Sequence, residues 1–169
     1  MQQNKIYNIA NEETQLVYLQ LLEFTSLWFP CKTRTSKRQI ISFLYNNNKI
    51  IIPGMYSFIQ PLINKVEESA RNTIIDSSEP IFIEMFINYY QDGNYSTPMH
   101  RHQCRQITMS LGTKRTLKVN TKDVEMNHGD LIFLHQEKHG VLKDSSTEPR
   151  ISFNLFFTTT NEKEFEVNY

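Results

Sequence analysis

No uninterrupted apolar run in this 169-residue chain approaches the roughly 18 residues that a membrane-spanning helix requires. The opening Met1-Gln2-Gln3-Asn4-Lys5 also lacks the apolar core of a secretion signal. Cysteine is scarce: Cys31 and Cys104 are the two in the chain, and their spacing matches neither a zinc site nor a redox pair. A disulfide scaffold is thereby excluded, and the expected setting is soluble, reduced and intracellular, in cytoplasm or nucleus, with no membrane contact. Net charge is missing as well, because 18 basic and 18 acidic residues cancel. No global field draws the chain to nucleic acid, so any such contact must be local. Internal repeats, low-complexity tracts and interdomain linkers are absent, and a 39% hydrophobic composition is enough for one core. A single monomeric domain spanning residues 1–169 is expected.

The first half of the chain carries helical spacing. Asn11-Glu12-Glu13 caps and charges the start of a helix over Thr14 to Phe24, with Leu16, Val17, Leu19, Leu21 and Leu22 as its apolar positions. A second helix begins near Ser57 and places Ile59, Leu62, Ile63, Val66 and Ala70 on one stripe, with Pro61 tolerated in its first turn. Between them lies Pro30 to Arg38, where Lys32, Arg34, Lys37 and Arg38 form the one dense basic patch. It reads either as a solvated loop or as a phosphate contact. The strand-like Gln39 to Tyr45 and the turn-prone Asn46-Asn47-Asn48 follow.

From Pro80 onward the period shifts to two. Ile81–Tyr90, Gln106–Leu111, Arg115–Val119, Asp123–Met126, Leu131–Leu134 and Arg150–Thr158 read as strands separated by turns at Gly93, Gly112, Asn120, Gly129 and Asp144-Ser145-Ser146. Short successive strands of this kind close into a sandwich or an open barrel. In the last one, Arg150, Ser152, Asn154 and Phe156 share one face, and Ile151, Phe153, Leu155 and Phe157 share the other.

Three of the five histidines carry a chemical signal. His100 and His102, one residue apart on a strand, point to the same side, and His139 from a distant strand completes a facial metal site with open coordination positions. His128 before Gly129-Asp130 and His135 after Leu131-Ile132-Phe133-Leu134 have no such setting. Arg150, at the head of an inward face, suits a fork-shaped pair with a carboxylate.

The order of these residues resembles the AlkB-like branch of the iron(II)- and 2-oxoglutarate-dependent dioxygenases. The matching pieces are Asn88-Tyr89-Tyr90-Gln91-Asp92-Gly93, His100-Arg101-His102, Ser110-Leu111-Gly112 with Arg115, Gly129-Asp130, His139-Gly140-Val141 with Lys143, and Arg150-Ile151-Ser152. The resemblance implies an α+β, mainly β fold: a double-stranded β-helix, or jelly roll, over 80–169 with N-terminal helices and a lid-like extension over 1–79. It implies Fe(II) held by His100, His102 and His139, and 2-oxoglutarate bound by Asn88, Tyr90, Arg150 and Ser152, with oxygen as the other cosubstrate. The implied reaction decarboxylates 2-oxoglutarate to succinate and hydroxylates a C–H bond, which on an N-methyl group releases formaldehyde. A modified base in DNA or RNA is the implied substrate. Lys32, Arg34, Lys37 and Arg38 would then meet phosphates, and Tyr45, Tyr95 and Trp28 would offer aromatic walls.

The chain departs from the family pattern twice. His102 stands where the pattern has Asp, so a neutral imidazole replaces an anion. In the last strand the pattern Arg-x-Asn-x-Thr-x-Arg becomes Arg150-x-Ser152-x-Asn154-x-Phe156, without the second arginine. Two other readings therefore stay open: a dioxygenase acting on a protein side chain or small molecule, and a non-catalytic relative that binds metal or nucleic acid.

Overall fold

The alternating residues at the end of the chain become the middle of the molecule. In the computed structural model, residues 6–31 and 38–162 are described. Their strands are β1 (Ile6–Asn8), β2 (Phe29–Pro30), β3 (Gln39–Asn46), β4 (Lys49–Ile50), β5 (Pro80–Tyr90), β6 (Thr97–His100), β7 (Arg105–Gly112), β8 (Arg115–Val119), β9 (Lys122–Met126), β10 (Asp130–His135), β11 (His139–Val141) and β12 (Arg150–Thr159). The helices are α1 (Glu12–Phe24) and α2 (Gln60–Arg71), the latter entered through a 3₁₀ turn at Gly54–Ile59. The larger sheet runs β1-β10-β7-β12-β5-β3-β2, and the smaller one β6-β11-β8-β9. All their pairings are antiparallel.

β12 is central because it is apolar on one face and unexposed on the other. It pairs with β5 and β7 along most of its length. Ile151, Phe153, Leu155 and Phe157 pack with Met85, Ile87, Ile107, Met109 and Leu111 under the two helices. The opposite face of the same strands meets the smaller sheet, whose Leu117, Val119, Met126 and Val141 form a second apolar cluster with Tyr90, Ile132 and Leu134. A register shift opposite Phe156 and Phe157 keeps both Phe82 and Met85 of β5 on the core side.

Each helix is set by local chemistry. The Asn11 side chain accepts from the Thr14 backbone N–H while the Thr14 hydroxyl accepts from the Asn11 N–H, a reciprocal capping box. In α1 the buried positions are Val17, Tyr18 and Leu21, whereas Leu16 and Leu19 face solvent. The expected apolar stripe is therefore rotated. In α2 the expected stripe is the buried one, through Leu62, Ile63, Val66 and Ala70. Asn47 and Asn48 both take positive φ, 48° and 58°, and close the β3–β4 hairpin with a two-residue turn.

The strands β1, β2, β4, β6 and β11 go beyond the segments read from alternation. They are two to four residues long and are defined by pairing partners rather than by a pattern of their own. Among the described residues, no helix is long and apolar enough to cross a membrane.

Candidate metal centre and cosubstrate cavity

β6 ends on His100 and β11 begins on His139, and the two residues face each other across the antiparallel pair. The approach is close: a Cβ on Gly140 would lie 2.7 Å from the Thr97 carbonyl oxygen and 3.0 Å from the Met99 nitrogen. Only glycine lets β6 and β11 come that near. The His-x-His spacing predicts both residues on one strand, but β6 stops at His100 and His102 lies beyond it. The chain instead turns so that the two Nε2 atoms stand 3.0 Å apart. One ligand nitrogen from each of His100, His102 and His139 falls within 4.8 Å of the others.

Hydrogen bonds fix which nitrogen each ring presents. His100 Nδ1–H donates to the Pro98 carbonyl and His139 Nδ1–H to the Glu137 carbonyl, both at 2.8 Å. Each leaves its Nε2 lone pair for the cluster. Burial, followed by the proximity of His100, His139 and Arg38, pushes His102 down to about 3. Burial likewise brings His139 down to about 4, and it lowers His100. All three imidazoles are thus neutral near pH 7 and able to ligate. Three convergent neutral imidazoles fit a divalent first-row metal.

The three rings lie at one side of a cavity of about 450 Å³. The same cavity is lined by Arg150, only 1% exposed. Its Nε donates to Ser110 Oγ at 2.8 Å, its guanidinium lies 5.2 Å from the Tyr90 ring centroid, and its Nη1 meets no hydrogen-bond partner among the described residues. A buried cation with an unused donor is costly unless an anion meets it. Tyr90 Oη bonds Thr97 Oγ1 at 2.8 Å. Asn88 accepts from Arg38 Nε at 2.9 Å and donates to Ser152 Oγ at 3.4 Å. Asn154 continues this net, donating to Ser152 Oγ and accepting from Thr108 and Gln106. No carboxylate lines the cavity among the described residues.

The cavity thus gathers His100, His102, His139, Asn88, Tyr90, Arg150, Ser152 and Arg38. Lys32, Arg34 and Lys37 lie outside the described residues. Arg38 reaches the cavity wall, where the sequence suggested a surface phosphate contact. Tyr45 is placed elsewhere: its hydroxyl donates to Glu67 Oε1 at 2.8 Å and its ring packs on Phe82. Trp28 is buried edge-on to Tyr89, and the Tyr95 hydroxyl meets Gln91, so neither forms a cavity wall. Phe29, Phe86, Gln106 and Thr108 line the cavity without having been singled out. For Gln106 and Thr108 a signal existed in their parity across from Phe156 and Asn154. Phe29, 72% exposed, gave none.

Arg115 holds this end of the molecule together. Its guanidinium donates to the carbonyls of Asp92, Tyr95 and Leu142 and pairs with Asp144 at 2.8 Å. It ties the loop entering β6 to the loop leaving β11, the two strands that carry His100 and His139. The other two histidines stay out of the cluster: His128 bridges Thr14 and the Gly112 N–H, and His135 sits near Glu162.

No family model matches the sequence, and no curated protein does. Solved structures do match in shape. A prolyl hydroxylase from Trichoplax adhaerens, solved with a hypoxia inducible factor oxygen degradation domain peptide, aligns with a TM-score of 0.67 at 13% identity, over 91% of this chain and 82% of its own. The prolyl-4-hydroxylase of Pseudomonas putida gives 0.63 at 14%, covering 91% of each chain. OsALKBH1 gives 0.53 at 10%, over 92% of this chain and 99% of its own. The fold is the one these solved structures share. The double-stranded β-helix implied by the resemblance is therefore present, with two helices packed on the outer face of the larger sheet.

Proposed function

We propose that the protein is an iron(II)- and 2-oxoglutarate-dependent dioxygenase acting on a modified nucleic-acid base. The observation that carries the enzyme reading is one cavity lined both by three neutral imidazoles and by Arg150, whose buried Nη1 meets no hydrogen-bond partner among the described residues. His100, His102 and His139 would hold iron(II), which when bound supplies the oxygen-activating redox chemistry. Arg150 receives the distal carboxylate of 2-oxoglutarate, with Tyr90 lying beside it as the other wall of that pocket. Asn88 and Ser152, already linked, border the rest of the cosubstrate.

In the balanced reaction, one oxygen atom of O₂ enters succinate as 2-oxoglutarate loses CO₂, and the other enters the substrate C–H bond. A hydroxylated N-methyl group then leaves as formaldehyde. The substrate reading is supported by Phe29, whose exposed ring at the cavity margin can stack a base, and by Arg38, which brings a cation to the same wall.

The test is anaerobic titration of the metal-free protein with Fe(II) and 2-oxoglutarate, followed by oxygen exposure and quantification of succinate. Succinate formation that disappears in His139→Ala and Arg150→Ala is the expected result. Retention of turnover in both variants would exclude this site. Steep loss of turnover on methylated single-stranded DNA or RNA as salt rises separates the nucleic-acid substrate from a protein or small molecule, whose turnover would be salt-insensitive.

A further inference from the structure

Both departures from the family's residue pattern meet in one contact. The His102 and Phe156 rings pack edge to face, centroids 4.7 Å apart at 68°, and Phe156 is only 3% exposed. A carboxylate at 102 would lose solvation against that phenyl ring. A guanidinium at 156 would stand beside a divalent ion whose three protein ligands carry no charge. Each half of the contact therefore suits only the other.

Gln106 belongs to the same corner. It is the cross-strand partner of Phe156, and its amide NH₂ is committed to Thr108 Oγ1 at 2.7 Å and Asn154 Oδ1 at 3.1 Å. Its Oε1 is buried without a donor. His102 Nδ1 is likewise buried without a partner among the described residues, whereas His100 and His139 both anchor Nδ1 on a backbone carbonyl. With Nε2 given to a metal, His102 would carry a spare N–H and Gln106 a spare oxygen, and both residues line the same cavity.

We infer that Phe156 and Gln106 are positioning residues for His102, making residues 102, 106 and 156 a matched uncharged set that holds the third metal-ligating imidazole. Phe156 fixes the ring plane by edge-to-face packing. Gln106 Oε1, which meets no donor among the described residues, would accept the Nδ1–H through one bridging water and so fix the tautomer. The inference rests on the metal reading above and concerns the ligand geometry rather than turnover. It makes His102→Asp alone a poor repair, because the new carboxylate would face a phenyl ring.

The experiment is titration of the metal-free protein with Co(II) alone, read by visible absorption, with thermal unfolding of each metal-free variant alongside. Gln106→Leu is expected to weaken Co(II) binding by about 10-fold or more and to alter the absorption band. Gln106→Glu, which keeps the acceptor but gives up the amide donors to Thr108 and Asn154, is expected to bind Co(II) more tightly than Gln106→Leu. Phe156→Arg weakens Co(II), and the double variant His102→Asp/Phe156→Arg regains about 10-fold beyond the product of the single effects, a coupling within the range of contacting pairs.

Unchanged affinity and spectrum in Gln106→Leu would overturn the acceptor role, and strictly multiplicative effects at 102 and 156 would overturn the pairing. If Phe156→Arg does not fold, Phe156→Leu decides: a shifted Co(II) spectrum with a near-native unfolding midpoint supports the ring contact, and an identical spectrum overturns it. Since neither 2-oxoglutarate nor oxygen is present, a coupled set in a protein that forms no succinate removes only the dioxygenase reading. Succinate formation without coupling removes only this inference.

Discussion

The two faces of β12 are equally hidden from water and built on opposite principles. Ile151, Phe153, Leu155 and Phe157 are each fully buried in the apolar core beneath α1 and α2. Arg150, Ser152, Asn154 and Phe156, one residue out of step, are also buried, but against the cavity. The first face is held by apolar burial and leaves nothing unmet. The second is held by a net through Ser110, Asn88, Thr108 and Gln106 that ends in the unpartnered Arg150 Nη1 and Gln106 Oε1. Along β12, burial alone does not distinguish core from site; unspent hydrogen-bonding capacity does.

The sharpest way to break the symmetry of burial is to cut each face in turn. Phe153→Ala, on the core face, is expected to cost about 3–5 kcal/mol of stability. A urea unfolding curve measures it, and well below the unfolding transition 2-oxoglutarate affinity should be unchanged. Arg150→Met, on the cavity face, is expected to do the reverse. Binding of 2-oxoglutarate to the metal-loaded protein, followed by calorimetry, should weaken by about 2–5 kcal/mol as the carboxylate loses its charged partner. Stability should stay level or rise, since a buried guanidinium has been replaced by an apolar chain of similar length. A large loss of stability in Arg150→Met would mean that the cavity face is structural after all.

The smallest expected effect compares two kinds of histidine. His128 Nδ1 accepts from the Gly112 N–H and its Nε2–H donates to Thr14 Oγ1, each at 3.0 Å, so only the neutral ring serves both. Burial lowers its pKa below the ordinary 6.5. The unfolded chain thus takes up a proton near 6.5 while the folded chain does not, so stability is full above pH 6.5 and falls as the pH drops below it. Losing the Gly112 bond removes about 1 kcal/mol, or about 2–4 °C in unfolding midpoint. Thermal melts of wild type and His128→Asn between pH 5 and 8 should converge at the acid end. A constant difference across that range would show that His128 does not titrate on unfolding.

Much of this arrangement was legible along the chain. The alternation in residues 150–158 assigned each side chain of β12 to its face before any partner strand was known, because strand parity is a local property. The α2 stripe was legible for the same reason, while in α1 leucines lie on both faces and tertiary packing chose Val17, Tyr18 and Leu21. Arg38 shows the limit of such reading. Its neighbours suggested a basic surface patch, yet the docking of β3 on β5 carries it to Asn88. Tyr45, within β3 and seven residues further along the chain, is carried instead to Glu67 on α2.

The sequence by itself determined the period-two strands, the two helices and the residue types able to bind a metal and a dicarboxylate, since spacing and side-chain chemistry are written residue by residue. Only the tertiary structure decided that His100 faces His139, that His102 folds back past its strand to meet Phe156, and that Gln106, across from Phe156, is left with an oxygen unmet among the described residues. Those relations depend on register between strands far apart in the chain, and register is chosen by the packing of the whole sheet rather than by any one segment.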